Sequence, residues 1–236
     1  MSDHRLALVL LTGLPRSGDA MTRLLLVRHG RTEMNEWMSK PGKGWGAPGF
    51  VDPALWDTRL TPTGEMQARE LNSQMRSWHP EVDLLLASPL RRALATAEIG
   101  FDGVRCQTQR IEPLAAERCF LSSDVGSPIT ELQRSFSPAW GFETLPERWW
   151  FQGDELTPEW RPPGTYVNPG EDSKTFYARM ARLIEALRAC AGEHETVALV
   201  AHWGVLNALT GRSFKNCEWS DQLVSDLPDT PFVAPD

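Results

Sequence analysis

The sequence predicts an α/β fold with a mainly parallel central sheet and helices on both faces. Three apolar runs carry that prediction: Arg23–Arg28, Val82–Ala87 and Thr196–Ala201. Each has a continuous apolar stretch at its centre, Leu24–Val27, Leu84–Ala87 and Val197–Ala201, as suits a strand buried on both faces, and each gives way abruptly to polar residues: His29-Gly30, Ser88 and His202. Helical patterns lie between the runs, and strands alternating with helices imply parallel pairing by crossover. On such a sheet, ligands bind beyond the carboxyl ends of the strands.

In chain order, residues 1–20 come first. Arg5 followed by Leu6 to Leu11 has the outline of a short signal peptide, but Asp3 weakens the positive start and Pro15 to Asp19 makes a poor cleavage site. The segment is read as an N-terminal extension to a domain spanning 21–219. After the first run, Glu33 to Asp57 reads as a long excursion over the strand ends. Thr61-Pro62 supplies an N-cap and a first-turn proline for a helix bearing Met66, Leu71, Met75 and Trp78. Ser88-Pro89 is expected to open a second helix in the same way. A third starts near Asp172 or Ser173 and shows an apolar stripe of Phe176, Met180, Leu183, Ile184 and Leu187. Residues 121–168, rich in Trp, Pro and Gly, read as a long insertion and a possible lid, since structureless loops of that length are uncommon unless functional. The tail 220–236, with Pro228, Pro231 and Pro235, is expected to be irregular.

Composition narrows the function. The chain has 236 residues, enough for one large α/β domain, and a formal charge of −7. That balance argues against nucleic acid as partner, because such proteins cluster Lys and Arg to neutralise phosphates. Cys106, Cys119, Cys190 and Cys217 fall in no zinc-like or CxxC spacing, which points to a reduced, cytoplasmic compartment without a structural metal. No stretch approaches the roughly 18 apolar residues of a membrane helix, so no membrane is expected either. Oligomeric state is not legible.

Leu26-Val27-Arg28-His29-Gly30-Arg31-Thr32 places a guanidinium, an imidazole and a glycine where a buried strand ends. Arg28 offers a planar fork of donors for phosphate, Gly30 lets backbone approach an anion, and His29 is available for covalent chemistry. A lone histidine is more often a hydrogen-bonded structural residue, so the segment decides nothing alone. With Asn35, however, it resembles the LVRHGxT signature of the histidine phosphatase (phosphoglycerate mutase-like) superfamily. Ser88 to Ala97 is similar to that family's second motif, and Val200-Ala201-His202-Trp203-Gly204-Val205 to its third.

The resemblance implies a phosphoglycerate mutase-like fold and a phosphatase acting on small phosphorylated metabolites through a phosphohistidine. It implies His29 as nucleophile, His202 as the second imidazole, Arg28 and Arg92 as phosphate clamps, and Asn35 as a neutral donor. Phosphoryl transfer in such a cage is mostly positioning and charge neutralisation, so neither metal nor cofactor is implied. The general acid is implied to follow the second motif, where Glu112 and Glu117 both stand; Glu117 fits the family spacing better. A phosphoglycerate-mutase-type phosphotransferase and a non-catalytic binding protein retaining the fold are the alternatives. Arg91 reads as a solvated helix residue, and His4, His79 and His194 as surface residues. Trp140, Trp149, Trp150 and Trp160 read either as lining a pocket or as the insertion's own core.

Overall fold

The computed structural model describes residues 22–79, 81–153, 166–167 and 169–233. The expected extension 1–20, His4 and Trp160 lie outside them. Strand β1 (Arg23–Arg28) is followed by α1 (Glu33–Met38), α2 (Pro62–Trp78), β2 (Glu81–Ala87), α3 (Arg91–Gly100) and β3 (Arg105–Ile111). Then come α4 (Ile129–Ser135), α5 (Ser173–Cys190), β4 (Thr196–Ala201), α6 (Trp203–Thr210) and β5 (Trp219–Leu223). The sheet order is β3-β2-β4-β1-β5, parallel throughout except for β5, which runs antiparallel to β1.

The two-residue period of a strand explains why β1 had to be apolar throughout. Leu24 and Leu26 pack with α5 and α6, through Met180, Leu183 and Leu206. Leu25 and Val27 point the other way, to Leu71 and Met75 of α2 and Leu94 and Ala97 of α3. Helices therefore cover both faces, as expected. Register then aligns the strand ends: Val27 and Ala87 both stand opposite Val200. His29, Ser88 and His202 consequently leave the sheet at one level of one edge. Two backbone bonds fix that level, His29 N–H to the Ala201 carbonyl and Ser88 N–H to the Val200 carbonyl, each 3.0 Å.

Helix α2 begins as expected, the Thr61 hydroxyl accepting from Gly64 N–H beside Pro62. Helix α5 is capped by Asp172, which accepts from Thr175 N–H. Elsewhere the expectations need correction. Ser88-Pro89 does not start α3; the helix begins at Arg91 after an uncapped Leu90, and Ser88 is engaged with His202. Residues 33–57 are not wholly an excursion, for Thr32 and Asn35 form a reciprocal capping box that starts α1. The tail is not irregular from Ser220: β5 crosses the boundary expected at 219 and covers the open edge of β1. That strand also buries His79, whose ring meets Trp219 edge-on at 5.5 Å with Nε2 3.6 Å from Asp221. His79 is 6% exposed and is no surface residue.

Within 121–168, Trp140 and Phe142 are core residues, the Trp140 indole N–H donating to Glu98. Arg91 is not solvated either; it pairs with Asp57 and Glu131 and donates to Ser127, tying this insertion to α3. No helix among the described residues is long and apolar enough to cross a membrane.

Candidate active site

Both histidines emerge into a buried cage at the carboxyl edge of the sheet, their ring centroids 5.1 Å apart. His29 Nδ1 lies 2.8 Å from the Gly30 carbonyl, which can only accept; Nδ1 therefore carries the proton and Nε2 keeps its lone pair. Burial, then Arg92 and Arg28, push the ring well below the ordinary imidazole range, so it is neutral. His202 holds the complementary tautomer. Arg92 Nε–H donates to its Nδ1 at 3.2 Å, so its proton sits on Nε2 and is given to the Ser88 hydroxyl at 2.7 Å. Burial, Arg92 and His29 keep this ring neutral as well.

Arg92 comes from the first turn of α3 and is 4% exposed. Besides His202 it donates to the Ser123 carbonyl at 2.5 Å and to Asp124 at 2.9 Å. Arg28, at the end of β1, gives one N–H to the Phe214 carbonyl, while its buried Nε–H has no partner among the described residues. An uncommitted buried guanidinium donor beside a second guanidinium is the donor set an oxyanion requires. Asn35 Oδ1 is occupied by Thr32 N–H and Asn216, but its amide nitrogen donates to no described residue.

The two candidate acids separate clearly. Glu112 is 8% exposed and its carboxylate accepts from Leu114 N–H, capping the turn Pro113–Ala115, with no hydrogen bond to either histidine. Glu117 reaches the cage: Oε2 accepts from Gly204 N–H at 2.9 Å, and Oε1 from Arg118 N–H at 2.9 Å. Its charge is also felt by Arg28 and Asp124. A Cβ at position 204 would collide with the Glu117 carboxylate, so the glycine two residues after His202 seats the acid. Gly30, read as room for an anion, instead makes room for the Gly64 backbone and donates its N–H to Thr96.

Several residues of the site went unread. Ser88 and Thr96 lie inside the quoted second segment, yet their role as partners of His202 and Gly30 depends on tertiary pairing. Asp124 is 6% exposed and its carboxyl is pushed up to about 6, burial outweighing the attraction of Arg92. Asn216 donates to the His29 carbonyl from a loop 187 positions away, and Cys217 N–H reaches the Arg28 carbonyl at 3.1 Å. Arg179 holds the Glu117 loop by donating to the Leu114 and Ala116 carbonyls, and is itself fixed by the buried Glu171. No sequence spacing announces these long-range partners. Among the described residues, no group of three or more His, Cys, Asp or Glu is placed to hold a metal ion.

Glu117 and Asp124 also line a cavity of about 620 Å³. Trp149, Trp150 and Phe151 form part of its wall, and α5 contributes Lys174 and Arg182.

Comparison with known proteins places this arrangement. The model of the histidine phosphatase superfamily (branch 1) matches residues 24–221. The uncharacterized phosphatase PhoE of Bacillus subtilis is 40% identical over 81 residues, 34% of this chain and 34% of that protein. A phosphoglycerate mutase of Candida albicans is 35% identical over 82 residues, 35% of this chain and 28% of that protein. The chain thus matches roughly a third of the length of these curated relatives. The alpha-ribazole phosphatase of Shigella flexneri superposes with a TM-score of 0.54 at 22% identity, covering 85% of this chain and 89% of that one; the likeness is one of fold.

Proposed function

The chain belongs to the histidine phosphatase superfamily, branch 1, and we propose that it is a phosphatase hydrolysing phosphate monoesters of small metabolites through a phosphohistidine at His29. The observation that carries this reading is the His29 tautomer: a neutral ring, its Nδ1–H tied to Gly30 and its Nε2 lone pair free, enclosed with His202, Arg28 and Arg92.

In the first step His29 Nε2 attacks phosphorus, an N–P bond forms, and the bond from phosphorus to the ester oxygen breaks. The departing oxygen takes a proton from the Glu117 carboxyl, leaving as alcohol. In the second step a water attacks the phosphohistidine and gives its proton to the Glu117 carboxylate. The N–P bond breaks, inorganic phosphate is released, and both side chains return to their starting states. Arg28 and Arg92 neutralise the equatorial oxygens, His202 lends its Nε2–H or exchanges its partner, and Asn35 adds a neutral donor. No step calls for a cofactor.

The same reading takes the cytoplasm as compartment, supported by four cysteines that form no disulfide. It treats residues 121–168 as the insertion that shapes substrate entry, supported by the aromatic wall of the cavity.

Lys174 and Arg182 favour one second reading, a phosphoglycerate-mutase-type transferase, because a mutase needs cations for a second acidic group. Among the described residues, however, the carboxylates lining the cavity outnumber the cations, which disfavours holding a bisphosphate. Incubation with 3-phosphoglycerate and catalytic 2,3-bisphosphoglycerate separates the two: phosphate release outpacing isomerisation is expected, and the reverse would overturn the hydrolase. His29→Ala should abolish turnover while retaining part of the phosphate affinity, and quenching the parent should trap an acid-labile phosphoenzyme. Near-normal turnover of His29→Ala would end the mechanism.

A further inference from the structure

Resting on the hydrolase reading, we propose that the preferred substrates are phosphate monoesters whose alcohol carries an uncharged aromatic ring, seated against Trp150. A general acid must touch the leaving oxygen, so whatever that oxygen carries continues into the space beyond Glu117. That space is the cavity of about 620 Å³, a size that encloses most of a drug-sized ligand.

Its charge does not select for a second anion. Among the described residues four carboxylates line it, those of Glu117, Asp124, Glu171 and Asp172, against three cations, Lys174, Arg179 and Arg182. Glu171 and Arg179 cancel as a buried pair, and Asp172 lies close enough to Lys174 to feel its charge. Asp124 is committed to Arg92, and Arg182 lies close enough to Glu112 for its charge to be felt there, so among the described residues no lining cation is left without a carboxylate to favour an acidic substituent.

The aromatic wall, by contrast, is built in advance. Trp149 donates its indole N–H to the Ser127 carbonyl at 3.0 Å and packs so closely on Gly126 that any Cβ there would strike its ring. Trp150 stands perpendicular to it, ring centroids 5.8 Å apart at 89°, so one fixed indole orients the other. The Trp150 indole N–H donates to no described residue. An aromatic corner fixed before binding costs a ring-bearing ligand little ordering, and rings prefer this edge-to-face geometry.

The test compares kcat/KM for 2-naphthylmethyl phosphate and ethyl phosphate, esters of primary alcohols of similar acidity. The parent should prefer the naphthyl ester about ten-fold or more. Trp150→Leu, which keeps an apolar side chain but no ring, should reduce that ratio to about two-fold, while Trp150→Phe retains most of it. Binding of the matching phosphonates to the parent, by calorimetry, gives a readout that requires neither turnover nor a folded variant.

Equal kcat/KM for both esters, with both hydrolysed, would overturn the aromatic site and leave the hydrolase standing. Hydrolysis of neither ester, with the naphthyl phosphonate still bound about ten-fold tighter, would overturn the hydrolase and support the aromatic site. Equal phosphonate binding, or a Trp150→Leu protein with the parent's ratio, would reduce the three aromatics to packing for the insertion.

Discussion

Adding a single methyl group at Gly204 should separate protonation of the leaving group from the rest of catalysis. The Gly204 N–H holds Glu117 Oε2 at 2.9 Å, and a Cβ on residue 204 would overlap Oε1 of the same carboxylate, with its carbon only 3.2 Å away. Restoring van der Waals distance moves the carboxylate by about 1 Å, a displacement that costs about 10²-fold when the displaced group acts on the reacting atoms. General acid–base catalysis is worth about 10²–10⁴-fold, so kcat of Gly204→Ala on ethyl phosphate should fall by about 10²-fold or slightly more. With 4-nitrophenyl phosphate the leaving oxygen needs no proton. The first turnover should then stay near the parent's rate, and a stoichiometric burst of nitrophenolate should precede slow dephosphorylation. Residue 204 lies in the first turn of α6, where alanine's helix preference over glycine, at most about 1 kcal/mol, offsets loss of the hydrogen bond to Glu117, so the melting temperature should change little. Stopped-flow absorbance and thermal melts check both halves. An equal loss in the first turnover on both esters, or activity near the parent's, would refute the placement of Glu117 as acid and base.

Other expectations follow from the same geometry. Because burial and two guanidiniums keep His29 well below the ordinary imidazole range, the neutral nucleophile persists as pH falls. kcat/KM should show no acid limb near pH 6.5 assignable to His29; a parent limb near that pH that moves up in Arg92→Gln, as an imidazole relieved of that charge would, would contradict this. Asp124 binds its proton more tightly in the folded chain, its carboxyl lying at about 6 against 3.8. That contribution is present below about pH 4 and is lost as pH rises through about 6, by up to about 3 kcal/mol. Denaturant midpoints should therefore move in favour of Asp124→Asn between pH 4 and 7, whereas a constant difference would mean an ordinary carboxyl. Glu171→Gln leaves Arg179 without its buried partner and should cost about 3 kcal/mol or more, lowering kcat with it as the Glu117 loop loosens; unchanged stability would show that the carbonyls suffice.

What the sequence made legible follows from where side chains are buried. β1, β2 and β4 announce themselves because both faces are covered, leaving no polar alternation to blur them. β3 reads RCQTQRI and β5 reads WSDQL; as edge strands they keep polar residues, and neither has a periodicity that distinguishes it from loop. The histidines and arginines of the cage adjoin strand ends or a helix start, so local pattern and family resemblance both reach them. Ser88, Asp124, Asn216 and Arg179 act through partners more than 30 positions away, or through backbone carbonyls, and no local signal encodes that. His79 was misread for the same reason, since the strand that buries it was itself unread.

The pinning of His29 from far along the chain also orders events in time. Read from the amino end, His29, the proposed nucleophile, lies next to the first strand of the sheet to leave a ribosome. β4, against which it aligns, and Phe214, Asn216 and Cys217, which hold the Arg28 and His29 backbone and side chain, are among the last. β1 can therefore neither pair with β4 nor present a fixed imidazole until nearly the whole domain has been made. A growing chain therefore carries His29 without the scaffold that fixes its ring, and the proposed phosphoryl chemistry has to wait until synthesis of the sheet is complete.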